Sequence, residues 1–105
     1  MGIIKVDKIE QKKFSKGIYS KIVHSENMTI IYWDIKAESV LTEHSHPNEQ
    51  ITQLTSGKFE LTVENNKHRL YKNEIIIIPE NIKHSGKALT DCTITDIFYP
   101  VRKDL

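Results

Sequence analysis

Polar and apolar residues alternate along much of the chain with a period of two. The pattern is clearest in Lys58-Phe-Glu-Leu-Thr-Val-Glu64, where Phe59, Leu61 and Val63 fall on one side, as in a half-buried strand. Asn65-Asn66 follows at once and tolerates the positive φ of a tight hairpin turn, so residues 67–71 read as the return strand and His68 as a surface residue on it. Ile75–Ile78 is a run of four β-branched residues closed by Pro79, which predicts a strand covered on both faces and ended by the loss of a ladder donor. Further strands are expected over residues 3–6, 20–24, 28–35, 50–55 and 93–99. Only residues 8–13 leave room for a helix, and they lack a sustained apolar period of 3.6. Many short strands separated by turns predict an all-β fold, a sandwich, barrel or jelly roll.

With 105 residues the chain has room for one domain, residues 1–105, built around one core. A hydrophobic share of 38% and a charged share of 28% describe a globular chain rather than a disordered one. Fifteen basic residues stand against fourteen acidic ones, a formal net charge of +1, with no basic stripe to track a phosphate backbone, so nucleic acid is not an expected partner. No stretch reaches the ~20 apolar residues of a membrane span, and charges occupy the start of the chain where a secretory signal needs an apolar run. Cys92 is the single cysteine. It cannot form an intramolecular disulfide, which fits a reducing compartment, and a cytoplasmic location is expected.

The stretch His44-Ser-His-Pro-Asn-Glu-Gln50 carries the candidate chemistry. In an extended strand His44 and His46 point to the same face with their imidazoles side by side. Two such nitrogens begin a chelate for a borderline divalent metal. Near the other end, residues 93–99 alternate so that Ile94, Asp96, Phe98 and then Pro100 share a face, and Arg102 lies just beyond. An inward-pointing Asp is costly to desolvate unless it is paired or catalytic, and Arg102 is the natural partner of Asp96 or of a substrate carboxylate.

Gln50 is followed after six residues by Gly57, and Pro79-Glu-Asn81-Ile-Lys-His84 comes later. Over residues 38–88 this resembles the two motifs of the cupins. The first runs His-x-His, three or four residues, an acid or amide, six residues, Gly; the second runs Pro-x-Gly-x-x-His. The resemblance implies a double-stranded β-helix, or jelly-roll barrel, with one divalent metal ion on His44, His46, Gln50 and His84. Nickel, zinc, manganese and iron suit such ligands alike. Three positions depart from the motifs: Glu38 stands where the first opens with Gly, and Asn73 and Asn81 replace two glycines of the second. Asn is the best substitute for Gly at left-handed turn positions. Glu49 competes with Gln50 as a ligand, but its strand parity is opposite to that of the histidines. With Gln50 in place of the more common Glu, no protein charge offsets the ion, and the site attracts an anion.

The tail around Asp96, Phe98 and Arg102 is similar to that of the small pectin-degradation cupins of the KdgF type. These convert 4,5-unsaturated uronates, released by lyases from pectin or alginate, into the open-chain keto form. The resemblance implies that Asp96 moves protons, that Arg102 holds the sugar carboxylate or developing charge, and that Phe98 offers a ring face. Two other readings stay open: a metal-dependent binding or sensory cupin for a small anion, and a cupin dioxygenase or lyase. Pairing of residues 3–6 with a neighbour's sheet edge predicts a homodimer.

Overall fold

The computed structural model describes residues 2–105. Within them, a single 3-10 turn (Val6–Lys8) precedes ten strands: β1 (Lys12–Ser15), β2 (Ile18–His24), β3 (Thr29–Ile35), β4 (Val40–His44), β5 (Glu49–Ser56), β6 (Phe59–Val63), β7 (Asn66–Leu70), β8 (Ile75–Ile78), β9 (His84–Ala88) and β10 (Cys92–Tyr99). They form a six-stranded sheet in the order β1-β2-β3-β10-β5-β8 and a four-stranded sheet in the order β4-β9-β6-β7. Every pairing is antiparallel. Two facing sheets of this kind make the expected jelly-roll barrel.

Period-two alternation sets the core. Thr29, Ile31, Trp33 and Ile35 of β3 are buried in turn, as are Cys92, Ile94, Asp96 and Phe98 of β10. Burial pushes the Cys92 thiol up to about 11, so it packs as a small apolar residue and offers no thiolate at neutral pH. Gly57 lies at φ +85, and a Cβ there would collide with the Asp91 carbonyl and Cys92. Glu38 (φ 71), Asn73 (φ 69) and Asn81 (φ 61) also sit in left-handed conformations, which explains why glycine suits all three positions.

Several expectations need correction. Residues 3–6 form no strand, because no strand of the barrel lies alongside them, and Ile3 is 95% exposed. In place of a helix, residues 8–13 hold the end of the 3-10 turn and the start of β1. The turn between β6 and β7 is Glu64-Asn65, both at positive φ, with Asn66 already paired to Val63. The fully covered strand expected at Ile75–Ile78 is an edge strand: Ile78 is buried, but Ile75 and Ile77 are 57% and 61% exposed. The continuous apolar run reflects something else. On the outer face of the six-stranded sheet, register places Ile77 beside Ile51, Ile51 beside Ile97, Ile97 beside Ile30 and Ile30 beside Val23. An unbroken aliphatic row therefore crosses five strands.

Candidate metal centre and its cavity

The two sheets meet around three histidines. His44 ends β4 and pairs in register with His84, the first residue of β9; His46 follows two residues after the strand has ended. The Asn81 amide donates to the His46 carbonyl at 2.8 Å and fixes that loop. Each ring contributes a nitrogen, and the three nitrogens lie within 4.8 Å of one another. Ring centroids are 4.2 Å apart for His44–His84, 5.1 Å for His46–His84 and 5.8 Å for His44–His46.

Local hydrogen bonds orient the rings. Nδ1 of His44 contacts the Thr42 carbonyl and Nδ1 of His84 the Ile82 carbonyl, both at 2.8 Å. A proton on Nδ1 leaves Nε2 as a free lone pair, the usual second support of a metal-binding histidine. Nε2 of His84 and Nδ1 of His46 are buried and lack any hydrogen-bond partner. Unsatisfied buried nitrogens are costly, and the unpartnered Nε2 of His84, left open by the bond at its Nδ1, fits a divalent ion held among the three rings. Gln50 of β5 reaches the same place from the opposite sheet, with Oε1 3.0 Å from Nε2 of His46. Glu49 lies on the outer face, exposed and beside Tyr99. The structure thus gathers His44, His46, His84 and Gln50.

Burial lowers His84 to about 4 and also lowers His46, where the nearby Arg102 charge adds to the effect. Both rings are neutral at pH 7, as ligands must be. Because the fold keeps His84 unprotonated down to about 4 while an unfolded chain protonates it near 6.5, the unfolded state binds the extra proton between those values. Metal-free protein should lose stability as pH falls through this window, on the order of 2 kcal/mol between about pH 7 and pH 5. Asp96, raised by burial, acts in the opposite sense. Urea unfolding at pH 7 and pH 5 reads the difference.

His44 and His46 open into a cavity of about 720 Å³ lined also by Phe14, Trp33, Asn48, Asp96, Phe98 and Arg102. Phe98 touches His46 edge to face with centroids 5.4 Å apart. The Arg102 guanidinium lies 4.9 Å from the Phe98 ring centre. The expected partnership of Arg102 with Asp96 does not form. Arg102 forks onto Asp104 instead, at 3.0 and 2.6 Å, and this bond lowers the Asp104 carboxyl. Asp96 receives the Trp33 indole N–H at 2.8 Å and the Thr52 hydroxyl at 2.6 Å. Both partners project inward from neighbouring strands, whereas Arg102 lies beyond the end of β10.

Four residues in or beside the cavity carry no role in the sequence reading. Trp33 and Thr52 share faces with Ile31 and Gln50 by parity, a signal that was there to use. Asn48 donates to the Pro100 carbonyl at 2.6 Å, and Phe14 meets Trp33 edge to face at 5.2 Å; neither contact has a sequence signature.

The cupin domain family matches residues 31–98, about two thirds of the chain. The chain belongs to the cupin family. No curated protein sequence matches it. Among solved structures, this cupin is similar to KdgF from Halomonas sp., with 26% identity, a TM-score of 0.93 and coverage of 99% of this chain and 97% of that one. An RmlC-like cupin from Shewanella frigidimarina shares the fold at 16% identity and a TM-score of 0.93, covering 99% and 95%. Oxalate decarboxylase of Bacillus subtilis, a protein with Mn(II) centres, shares it at 17% identity and a TM-score of 0.82, covering 92% of this chain and 29% of that one. Among the described residues, no helix is long and apolar enough to cross a membrane.

Proposed function

We propose that this cupin is a metal-dependent enzyme that converts 4,5-unsaturated uronates to their open-chain keto form. The observation that carries the reading is one cavity lined by His44, His46, Gln50, Asp96, Phe98 and Arg102, with His84 within reach of the other two histidines. The likeness to KdgF from Halomonas sp. over nearly the full length supports it. His44, His46, His84 and Gln50 would hold the ion, which would supply Lewis-acid polarisation of substrate oxygens. Its two positive charges face only neutral ligands, so an anionic sugar acid is the substrate class that balances them.

The reaction moves protons without net change. The C1 hydroxyl gives up its proton, the C1–O5 bond breaks to leave an aldehyde at C1, and O5 departs as the enol oxygen. C4 then gains a proton, the enol proton leaves, and C5 becomes a ketone. Asp96, on the cavity wall with its carboxyl raised by burial, is the group to carry these protons. Arg102 is poised over Phe98 to take the substrate carboxylate in exchange for Asp104. Phe98 presents its ring beside His46. Loss of absorbance from the conjugated C4=C5 bond, followed with metal-loaded protein, tests the assignment. Tight binding without conversion would favour a binding module for small anions instead.

We also infer a homodimer formed through the outer aliphatic row. Six strands of four to eight residues, at about 4.8 Å spacing and about 3.3 Å rise, present roughly 600 Å², to which the exposed Ile3 and Ile4 add. A stable interface takes about 800 Å² per partner, and a two-fold axis lays the row on its own copy. Light scattering should give a dimer that Ile51→Asp with Ile77→Asp converts to a monomer; a monomeric parent at micromolar concentration contradicts the pairing.

A further inference from the structure

The amide of Gln50 has two ends of almost the same shape and opposite chemistry. Its oxygen can ligate a cation, while its NH2 group, turned to the same place, would repel one. Nothing in the cluster of histidines selects between them, because His46 can donate or accept through its ring nitrogen according to its tautomer. The selection comes from the other side. Gln50 Nε2 donates to the Thr52 hydroxyl at 2.8 Å, and Thr52 in turn donates to Asp96 Oδ1 at 2.6 Å. Asp96 Oδ2 accepts from the Trp33 indole, a group that can only donate, at 2.8 Å.

A hydroxyl carries one proton. Once Thr52 commits it to Asp96, in a contact as short as hydroxyl–carboxylate bonds are, its oxygen can only accept. The amide must then present NH2 to Thr52, and Oε1 is left facing the histidines, 3.0 Å from His46. Thr52 is 3% exposed, so water cannot take over the task. We propose that Thr52 is a positioning residue: through the single proton of its hydroxyl it sets which end of Gln50 faces the metal site. The proposal rests on the reading of His44, His46, His84 and Gln50 as the ligand set. It explains why an amide can serve where a carboxylate, whose two ends are alike, would need no orienting partner.

The test is metal affinity, measured by competition with a chelator on folded protein loaded with Ni(II) or Zn(II). Thr52→Val keeps shape and burial but removes the proton; Thr52→Ser keeps the proton but removes a methyl group. Affinity should fall about 10- to 100-fold in Thr52→Val, the usual effect of losing a group that supports a ligand. Thr52→Ser should stay within about threefold of the parent. In a Gln50→Glu background, where there is no amide to orient, Thr52→Val should also cost no more than about threefold. Parent-like affinity in Thr52→Val, or equal losses in Thr52→Val and Thr52→Ser, overturns the role of Thr52. An undiminished loss in the Gln50→Glu background overturns it as well. A parent protein that holds no metal sinks the ligand set itself, a separate outcome.

Discussion

Replacing His44 and His46 together by alanine is expected to leave a folded barrel that carries no metal, while the parent protein carries about one equivalent per chain. The two rings supply two of the three nitrogens that converge within 4.8 Å, and His84 with Gln50 alone offers too few donors to retain an ion against buffer. The fold should survive. The apolar core centres on Ile31, Leu54, Phe59 and Ile78, and none of these depends on the histidines. Elemental analysis decides the matter. Unchanged metal in the double variant would move the ligand set elsewhere; no metal in parent protein made with ample supply would leave a barrel with a vestigial site.

How much of this was readable beforehand depended on whether the signal was local. Period-two alternation found β3, β5, β6 and β10 to within a residue or two, because inward and outward positions differ in polarity along a single strand. It failed for β1, whose four residues Lys12–Ser15 are all exposed, and for β9, whose His-Ser-Gly-Lys-Ala sequence carries little β-forming bulk. It misread Ile75–Ile78 for a different reason. An aliphatic run looks the same whether its second face meets a core or a partner, and here the second face is the open row through Ile77 and Ile51.

The site divides in the same way. The resemblance to the cupin motifs implies His44, His46, Gln50 and His84 as ligands, and parity separates Gln50 from Glu49. What the spacing could not supply was pairing across the barrel. Trp33 and Thr52 are 63 and 44 residues from Asp96 in sequence, and only strand register brings them to it. The same holds for Arg102: its choice of Asp104 over Asp96 follows from where β10 ends.

Asp96→Asn is expected to lower turnover of unsaturated uronate about 100- to 10,000-fold at full metal occupancy, the range that a positioned acid–base group contributes. The substitution keeps size and removes the proton-carrying group from a carboxyl that burial has already raised. Because Asp96 also anchors Thr52, rates must be expressed per bound metal. Arg102→Ala should weaken substrate binding as well as turnover, since the sugar carboxylate would lose a charge-assisted fork. A variant at Asp96 with parental turnover per metal would remove Asp96 from the chemistry and leave it a purely structural anchor.

The most direct measurement is the decay of C4=C5 absorbance of an unsaturated uronate, recorded with the metal-loaded parent protein, with chelator-stripped protein and with no protein. A rate well above the spontaneous reaction is expected for the loaded protein, lost on stripping and restored when the ion is returned. A metal-replete parent that leaves the spontaneous rate unchanged would contradict the assignment.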